Sequence, residues 1–307
     1  MHTILGAGGP VSNALMNELL QQQHSVRLVS RRKIETPVNA LWTGADLKNK
    51  QQVLDAVKGS SVIYMCAGLR YNKKVWQQEW PVIMQNIIEA TKAVNARLIF
   101  FDNVYMYGHV NGPMKENSPY HPMSVKGEIR ARIAEQLMSE VSAGNMRATI
   151  ARAADFYGAE SLNSFYDSMV LAKYAKKQKA MWLGNAGSRH SFTYVPDAGK
   201  ALALLGTHPK TDSEVWHLPT APAMTGKEFI ELAAQIFDTS ATYMSVNKFM
   251  LNTIGLFNKM ISETAELYYQ YQFDYIFDSK KFEDYFKVKP TSYAEGVREL
   301  SQTLFKD

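Results

Sequence analysis

Thr3-Ile4-Leu5-Gly6-Ala7-Gly8-Gly9-Pro10-Val11-Ser12 is the stretch that decides the fold of this 307-residue chain. A short apolar run gives way to a glycine turn, which opens a helical pattern through Leu15, Leu19 and Leu20 and leads to a second apolar run, Val26–Val29. That order is a βαβ unit at the head of the chain. A glycine turn between strand and helix presents backbone N–H groups and the positive helix end to a phosphate. Gly6 and Gly9 hold the first two positions of a GxxGxxG loop, with Ser12 in the third, so Gly6, Gly9, Pro10 and Val11 are candidate dinucleotide-binding residues. The competing reading is a tight structural turn beside an empty pocket.

Outward from this unit, strand candidates recur at Ala40–Thr43, Ser61–Met65, Arg97–Phe101 and Ala148–Ala151, with helical stretches near 51–57, 75–94 and 124–141. Strands alternating with helices predict a parallel sheet covered on both faces, an α/β fold of the Rossmann-type doubly wound class. Gly108–Pro122 reads as a long functional loop. The pattern then turns mixed, with helices near Phe165–Lys177, Pro196–Leu205 and Gly226–Phe237 and short strands at Ser191–Val195 and Val215–Leu218. The expected organisation is a nucleotide-binding domain over residues 1–155. Residues 156–307 then hold the remaining Rossmann elements and a smaller C-terminal substrate lobe.

Composition narrows the class. The chain is 46% hydrophobic and 21% charged, which excludes disordered and fibrous architectures. One cysteine, Cys66, cannot close an internal disulfide, so a secreted disulfide scaffold is excluded. The opening residues lack a basic leader pattern, and no stretch reaches the roughly 18 apolar residues of a membrane span. A cytoplasmic protein with no membrane partner is expected. The net charge of +5 is a mild excess with no contiguous basic face or nucleic-acid module, so no nucleic-acid partner is expected either.

Cofactor choice depends on the end of the second strand, which reads Val29-Ser30-Arg31-Arg32. No carboxylate stands there for adenosine ribose hydroxyls. Two guanidinium groups suit a 2′-phosphate in charge and geometry, which favours NADP over NAD. A solvated basic loop is the alternative.

At this point the sequence resembles the extended short-chain dehydrogenase/reductase family, which includes NAD(P)-dependent epimerases and dehydratases. Gly6–Ser12 match its cofactor loop, Asp46-Leu47 its adenine-contacting pair, and Cys66-Ala67-Gly68 its small-residue turn after the fourth strand. Met106-Tyr107-Gly108 look like its Val-Tyr-Gly, Arg152–Gly158 like its RPxxxYG, and Tyr194-Val195-Pro196-Asp197 like its late Tyr-Val-x-Asp. The resemblance covers most of the chain. It implies that Ser30, Arg31, Arg32, Asp46, Leu47, Cys66, Ala67 and Gly68 join the glycine loop in holding the cofactor.

The departures bear on chemistry. Asn103 stands at the family's Ser/Thr position, and its Tyr-x-x-x-Lys pair is best matched by Lys126 and Arg130. The usual triad is therefore absent. Lys126 and Arg130 keep the i, i+4 spacing that places them on one helix face. A like charge one turn away and partial desolvation would let Lys126 act as acid or base. Arg130 would be a fixed cation, and Asn103 would polarise a carbonyl. The bland alternative is a solvated helix face beside Glu128 and Glu135, with Tyr105, Tyr107 and Tyr120 as fallback acids.

Other features carry less. Lys173, Lys176, Lys177 and Lys179 read as a solvated face, with substrate-phosphate contact as the alternative. Cys66 reads as a small buried residue and His109 and His121 as neighbours of the loop; no metal-ligand spacing is present. Tyr268-Tyr269-Gln270-Tyr271 packs the small lobe or forms a homodimer surface. Two functions follow. One is an atypical NADP-dependent oxidoreductase or epimerase/dehydratase-like enzyme acting on a small carbonyl or sugar-type substrate. The other is a non-catalytic NADP-binding redox sensor or regulatory protein.

Overall fold

Strands β1 (His2–Leu5), β2 (Val26–Ser30), β3 (Ala40–Gly44), β4 (Val62–Met65), β5 (Arg97–Asp102) and β6 (Arg147–Arg152) run parallel in one sheet. Their spatial order is β3-β2-β1-β4-β5-β6, the doubly wound arrangement. The computed structural model describes residues 1–158, 164–255 and 259–303. Every residue of β1 and β4 is buried, as expected of strands covered on both faces.

Helices α1 (Pro10–Gln21), α2 (Lys50–Val57), α3 (Lys73–Ala93) and α4 (Val125–Ser142) connect these strands. Proline at the first helical position starts α1, and Asn72 and Ser124 cap the N-termini of α3 and α4 through side-chain oxygens. Trp76, Trp80, Ile83, Met84, Ile87 and Ile88 form the buried stripe of α3 on one sheet face. On the other face lies α1, accompanied by a helix from the second half of the chain.

That second half alternates between the two layers. It contributes β7 (Asp155–Tyr157), α5 (Ala172–Ala175), β8 (Ala180–Leu183), β9 (Arg189–His190), β10 (Phe192–Tyr194), α6 (Val195–Thr207) and β11 (Val215–His217). Helix α6 packs beside α1, and β11 extends the main sheet as a parallel seventh strand next to β6. After β12 (Met224–Thr225) come α7 (Gly226–Ile236), β13 (Tyr243–Val246), α8 (Lys248–Gly255), α9 (Lys259–Thr264), α10 (Tyr269–Gln272), α11 (Lys280–Phe286) and α12 (Tyr293–Thr303). The lobe has its own aromatic core of Tyr157, Tyr166, Trp182, Phe192, Phe229 and Tyr293.

The expected helix over Phe165–Lys177 is irregular, with a π-helical turn at Asp167–Leu171 before α5. Asp167, a fully buried carboxylate at the start of the turn, accepts the Gly158 N–H at 3.1 Å. Tyr268 and Gln270 of the aromatic run are buried, and Tyr271 packs on the lobe core, so the run faces inward. Among the described residues, no helix is long and apolar enough to cross a membrane.

Candidate active site

The glycine loop sits at the C-terminal end of β1, pinned by hydrogen bonds from Gly6 N and Ala7 N to Val29 O at 2.9 and 3.0 Å. Gly6 adopts φ +84°, and a Cβ there would stand 2.2 Å from Ala67 Cα, so any side chain would break the contact between this loop and the Cys66-Ala67-Gly68 turn. The first intrahelical bond of α1 runs from Asn13 N to Gly9 O, which leaves the Val11 and Ser12 N–H groups ahead of it at the open helix end. Ser12 turns its hydroxyl back onto the Gly9 backbone, donating to Gly9 O at 2.7 Å, so it fits the third loop position without projecting.

At the end of β2, the Ser30 hydroxyl donates to Arg32 O at 2.6 Å and accepts from Trp42 Nε1 at 3.0 Å. This turn displays Arg31 and Arg32 as exposed side chains, and no carboxylate pairs with either among the described residues. Asp46 accepts the Lys48 N–H at 3.0 Å, while Leu47 is buried and its carbonyl accepts from Asn86 Nδ2. Cys66 is half-buried, and burial pushes its thiol up to about 12, so it stays protonated and unreactive.

Asn103, Lys126 and Arg130 all lie near the C-terminal end of β5, but they do not meet. Asn103 Oδ1 accepts the Tyr105 N–H at 3.1 Å within its own turn, which occupies the amide oxygen and leaves the amide donors. Lys126 is completely buried, and Arg130 nearly so, which overturns the solvated-face alternative. Lys126 Nζ donates to Glu263 O at 3.0 Å, to Glu263 Oε2 at 2.9 Å and to the Glu266 carboxylate. All of its ammonium donors are thereby engaged. Arg130 points elsewhere: its Nε donates to Asp102 Oδ1 at 2.6 Å, with the guanidinium over the Trp80 and Phe100 rings.

The two glutamates on Lys126 also close helix ends. Glu263 accepts the Lys73 N–H of α3 at 2.7 Å, and Glu266 accepts the Val125 N–H of α4 at 3.1 Å. Burial works to raise the Glu263 carboxyl, but the hydrogen bonds from Lys126 and the Lys73 N–H hold it below the usual carboxylate range. The first turn of α4 also abuts the Tyr105 turn so tightly that a Cβ on Gly127 would come within 2.6 Å of Tyr105 O.

Of the fallback acids, Tyr107 and Tyr120 belong to a structural network. Arg152, fully buried, donates to the Tyr107 hydroxyl at 2.6 Å and to the Tyr120 hydroxyl, and pairs with Asp102. Tyr107 passes its proton toward His217 Nε2 at 2.8 Å, because His217 Nδ1 faces the Asp278 carbonyl, which can only accept. Tyr105 is different. It stands beside Tyr71, whose ring lies 4.4 Å from Lys126 Nζ. Burial, chiefly, raises the Tyr105 hydroxyl above its ordinary value, which keeps it protonated.

Sequence reasoning missed Tyr71, Glu263, Glu266, and the pair formed by Asp155 and His190, whose Oδ2 and Nε2 lie 3.2 Å apart. Asp155 lies inside the quoted Arg152–Gly158 stretch, where its acidic side chain was the available signal. The lysine cluster is a scaffold feature at Lys177, whose Nζ caps the end of α7 through Phe237 O and Asp238 O. The His109 ring packs tilted against Phe273, with centroids 4.5 Å apart. No cluster of three or more His, Cys, Asp or Glu able to hold a metal occurs among the described residues.

Comparison with known proteins fits this geometry. The model of the NAD dependent epimerase/dehydratase family matches residues 2–218. A dTDP-6-deoxy-L-talose 4-dehydrogenase (NAD(P)(+)) from Kitasatospora kifunensis is 23% identical over 244 residues, covering 75% of this chain and 76% of that protein. An uncharacterised Sinorhizobium fredii protein, y4nL, is 27% identical over 201 residues, covering 62% of this chain and just 55% of the relative's own length. Among solved structures, the UDP-glucose 4-epimerase of Thermus thermophilus in complex with NAD superposes with a TM-score of 0.80. It shares 14% identity over 99% of both chains, a likeness of fold.

Proposed function

Since the chain belongs to the NAD dependent epimerase/dehydratase family, we propose that it is a nicotinamide dinucleotide-dependent oxidoreductase or epimerase/dehydratase-like enzyme acting on a small carbonyl or sugar-type substrate. The observation that carries this reading is the packing of Gly6 on Ala67, which places the open N-terminus of α1 beside the ends of β1 and β4. Gly6, Gly9, Pro10 and Val11 would hold the pyrophosphate, with Asp46, Leu47 and the Cys66–Gly68 turn around the adenosine and nicotinamide portions. The solved relative carries NAD, but the exposed Arg31 and Arg32 and the absence of a carboxylate at Ser30 favour NADP here.

The bound dinucleotide supplies hydride transfer. Around it, Asn103 offers its free amide donors to a substrate oxygen, and Tyr105 is the proton donor, kept protonated by burial. Lys126 and Arg130 act as positioning charges. Lys126 holds the lobe against α3 and α4, and Arg130 fixes Asp102 beneath the Asn103 turn. The names of the dehydrogenase and the epimerase above contain nucleotide-linked sugars, which supports a sugar-type substrate.

A second reading, a non-catalytic NADP-binding sensor, is favoured by one observation: the lysine nearest the family's tyrosine position has no donor left for substrate. Thermal shift with NADP(H) and NAD(H) tests the cofactor. A dinucleotide at one hundred times its dissociation constant adds about 2.7 kcal/mol of stability, and no shift with either sinks both readings. Loss of NADPH absorbance across a carbonyl panel then separates the two, since binding without turnover selects the sensor.

A further inference from the structure

The segment Glu263–Gln272 crosses the carboxyl end of the sheet. Its Glu263 carboxylate accepts the first N–H of α3, at Lys73, at 2.7 Å, and its Glu266 carboxylate accepts the first N–H of α4, at Val125, at 3.1 Å. Helices α3 and α4 follow β4 and β5, so both N-termini lie on the side where open α/β sheets hold their ligands. Between the two carboxylates sits Lys126 Nζ, wholly buried.

The two sides of this segment are attached in different ways. Toward the lobe, Ala265 and Tyr268 pack with Leu183, Val246 and Leu251. The Tyr271 carbonyl accepts the Asn185 N–H at 2.8 Å, and the Gln272 carbonyl accepts the Ser188 hydroxyl at 3.1 Å. Toward α3 and α4 the attachment is polar. The apolar layer that seats those helices on the sheet, built around Trp76, Trp80, Ile129 and Ile133, includes no side chain from 263–272 among the described residues.

Separation on the helix side therefore uncovers little apolar surface. Removing one partner of a buried ion pair strands the other, but when an ammonium and its carboxylates part together each regains water, and the cost is far smaller. Local openings follow seams that hold few buried apolar contacts.

We propose that Glu263–Leu267 is a flap latched on Lys126 and hinged at the lobe-bound stretch Tyr268–Gln272, and that its opening presents the Lys126 ammonium to a ligand at the carboxyl end of the sheet. Closed, the flap engages every donor of Lys126. Open, it returns a cation to the first turn of α4, which abuts the Tyr105 turn. This deepens the functional reading above and rests on it only for what enters the site.

The test is native-state hydrogen exchange on the full chain, read by mass spectrometry across low urea concentrations, with lysine acetylation by acetic anhydride in parallel. Peptides covering Glu263–Leu267 are expected to exchange at least about ten-fold faster than those covering β4 and β5, at a rate that low urea leaves unchanged. Lys126 should be acetylated in the folded chain. Glu263→Gln combined with Glu266→Gln should speed acetylation and flap exchange by a further factor of about ten while β4 and β5 stay protected. Flap exchange that keeps pace with β4 and β5 and rises with urea, or acetylation of Lys126 only on global unfolding, overturns the proposal and leaves the three charges as a fixed tie. The thermal shift with NADP(H) is read separately. Flap opening without that shift removes the cofactor reading and keeps the flap, whereas a shift without local opening does the reverse.

Discussion

Lys126 Nζ and Glu263 Oε2 stand 2.9 Å apart across 137 residues of sequence, and the lysine between them and Glu266 is wholly buried. The contact ties the first turn of α4 to the lobe. Removing the cation alone would leave two carboxylates facing each other at the ends of α3 and α4. Lys126→Met is therefore expected to cost about 3–5 kcal/mol of stability, measured by urea unfolding. Unchanged stability would show that the clamp contributes nothing.

Gly6→Val should eliminate dinucleotide binding, since the new side chain would collide with Ala67 in a backbone region that disfavours it. Gly144→Asn, just past the C-terminal end of α4, is the control, because nothing lies within 4 Å of a Cβ there and asparagine tolerates its left-handed backbone. Thermal shift with NADP(H) should vanish in the first variant and persist in the second.

Arg31→Ala combined with Arg32→Ala should weaken NADP(H) by roughly ten- to a hundred-fold and leave NAD(H) nearly unchanged. Fluorescence titration of both reduced cofactors reads the ratio. Equal losses for the two would show that the arginines do not face a 2′-phosphate.

Stability should fall in mild acid. Burial pushes His217 down to about 3, and burial, with neighbouring His24 adding to it, pushes His2 down to about 4. Each folded pKa lies below the unfolded value of about 6.5, so between these limits the unfolded chain binds protons that the fold excludes. Their contribution is complete above pH 6.5 and is lost progressively toward pH 3. Urea midpoints across that range should drop, and His217→Gln, which cannot protonate, should flatten the slope.

The sheet was legible because its strands are short apolar runs separated by helical periodicity, and the Gly6–Ser12 turn announces itself by position. The site's charge pattern was not. Lys126 and Arg130 at i, i+4 look like a wet helix face, since the carboxylates that bury Lys126 come from Glu263 and Glu266, in a segment with no motif. The aromatic rings around His190 are likewise drawn from separate stretches, at Tyr166, Phe192, Tyr271 and Tyr275. Local pattern carries no record of such convergence.

The glutamate clamp also constrains the order in which the chain acquires its shape during synthesis. When α3 and α4 have left the ribosome, Lys126 lacks the two carboxylates that pair with it and the Lys73 and Val125 N–H groups lack their glutamate acceptors, because residues 263–266 emerge over a hundred positions later. Until then the ammonium must remain hydrated, which keeps this corner of the nascent Rossmann layer open. Completion of the sheet and sealing of the cleft are thus separate events in time, and an arrested chain stopping near residue 250 would expose the Lys126 corner to solvent and to chaperones.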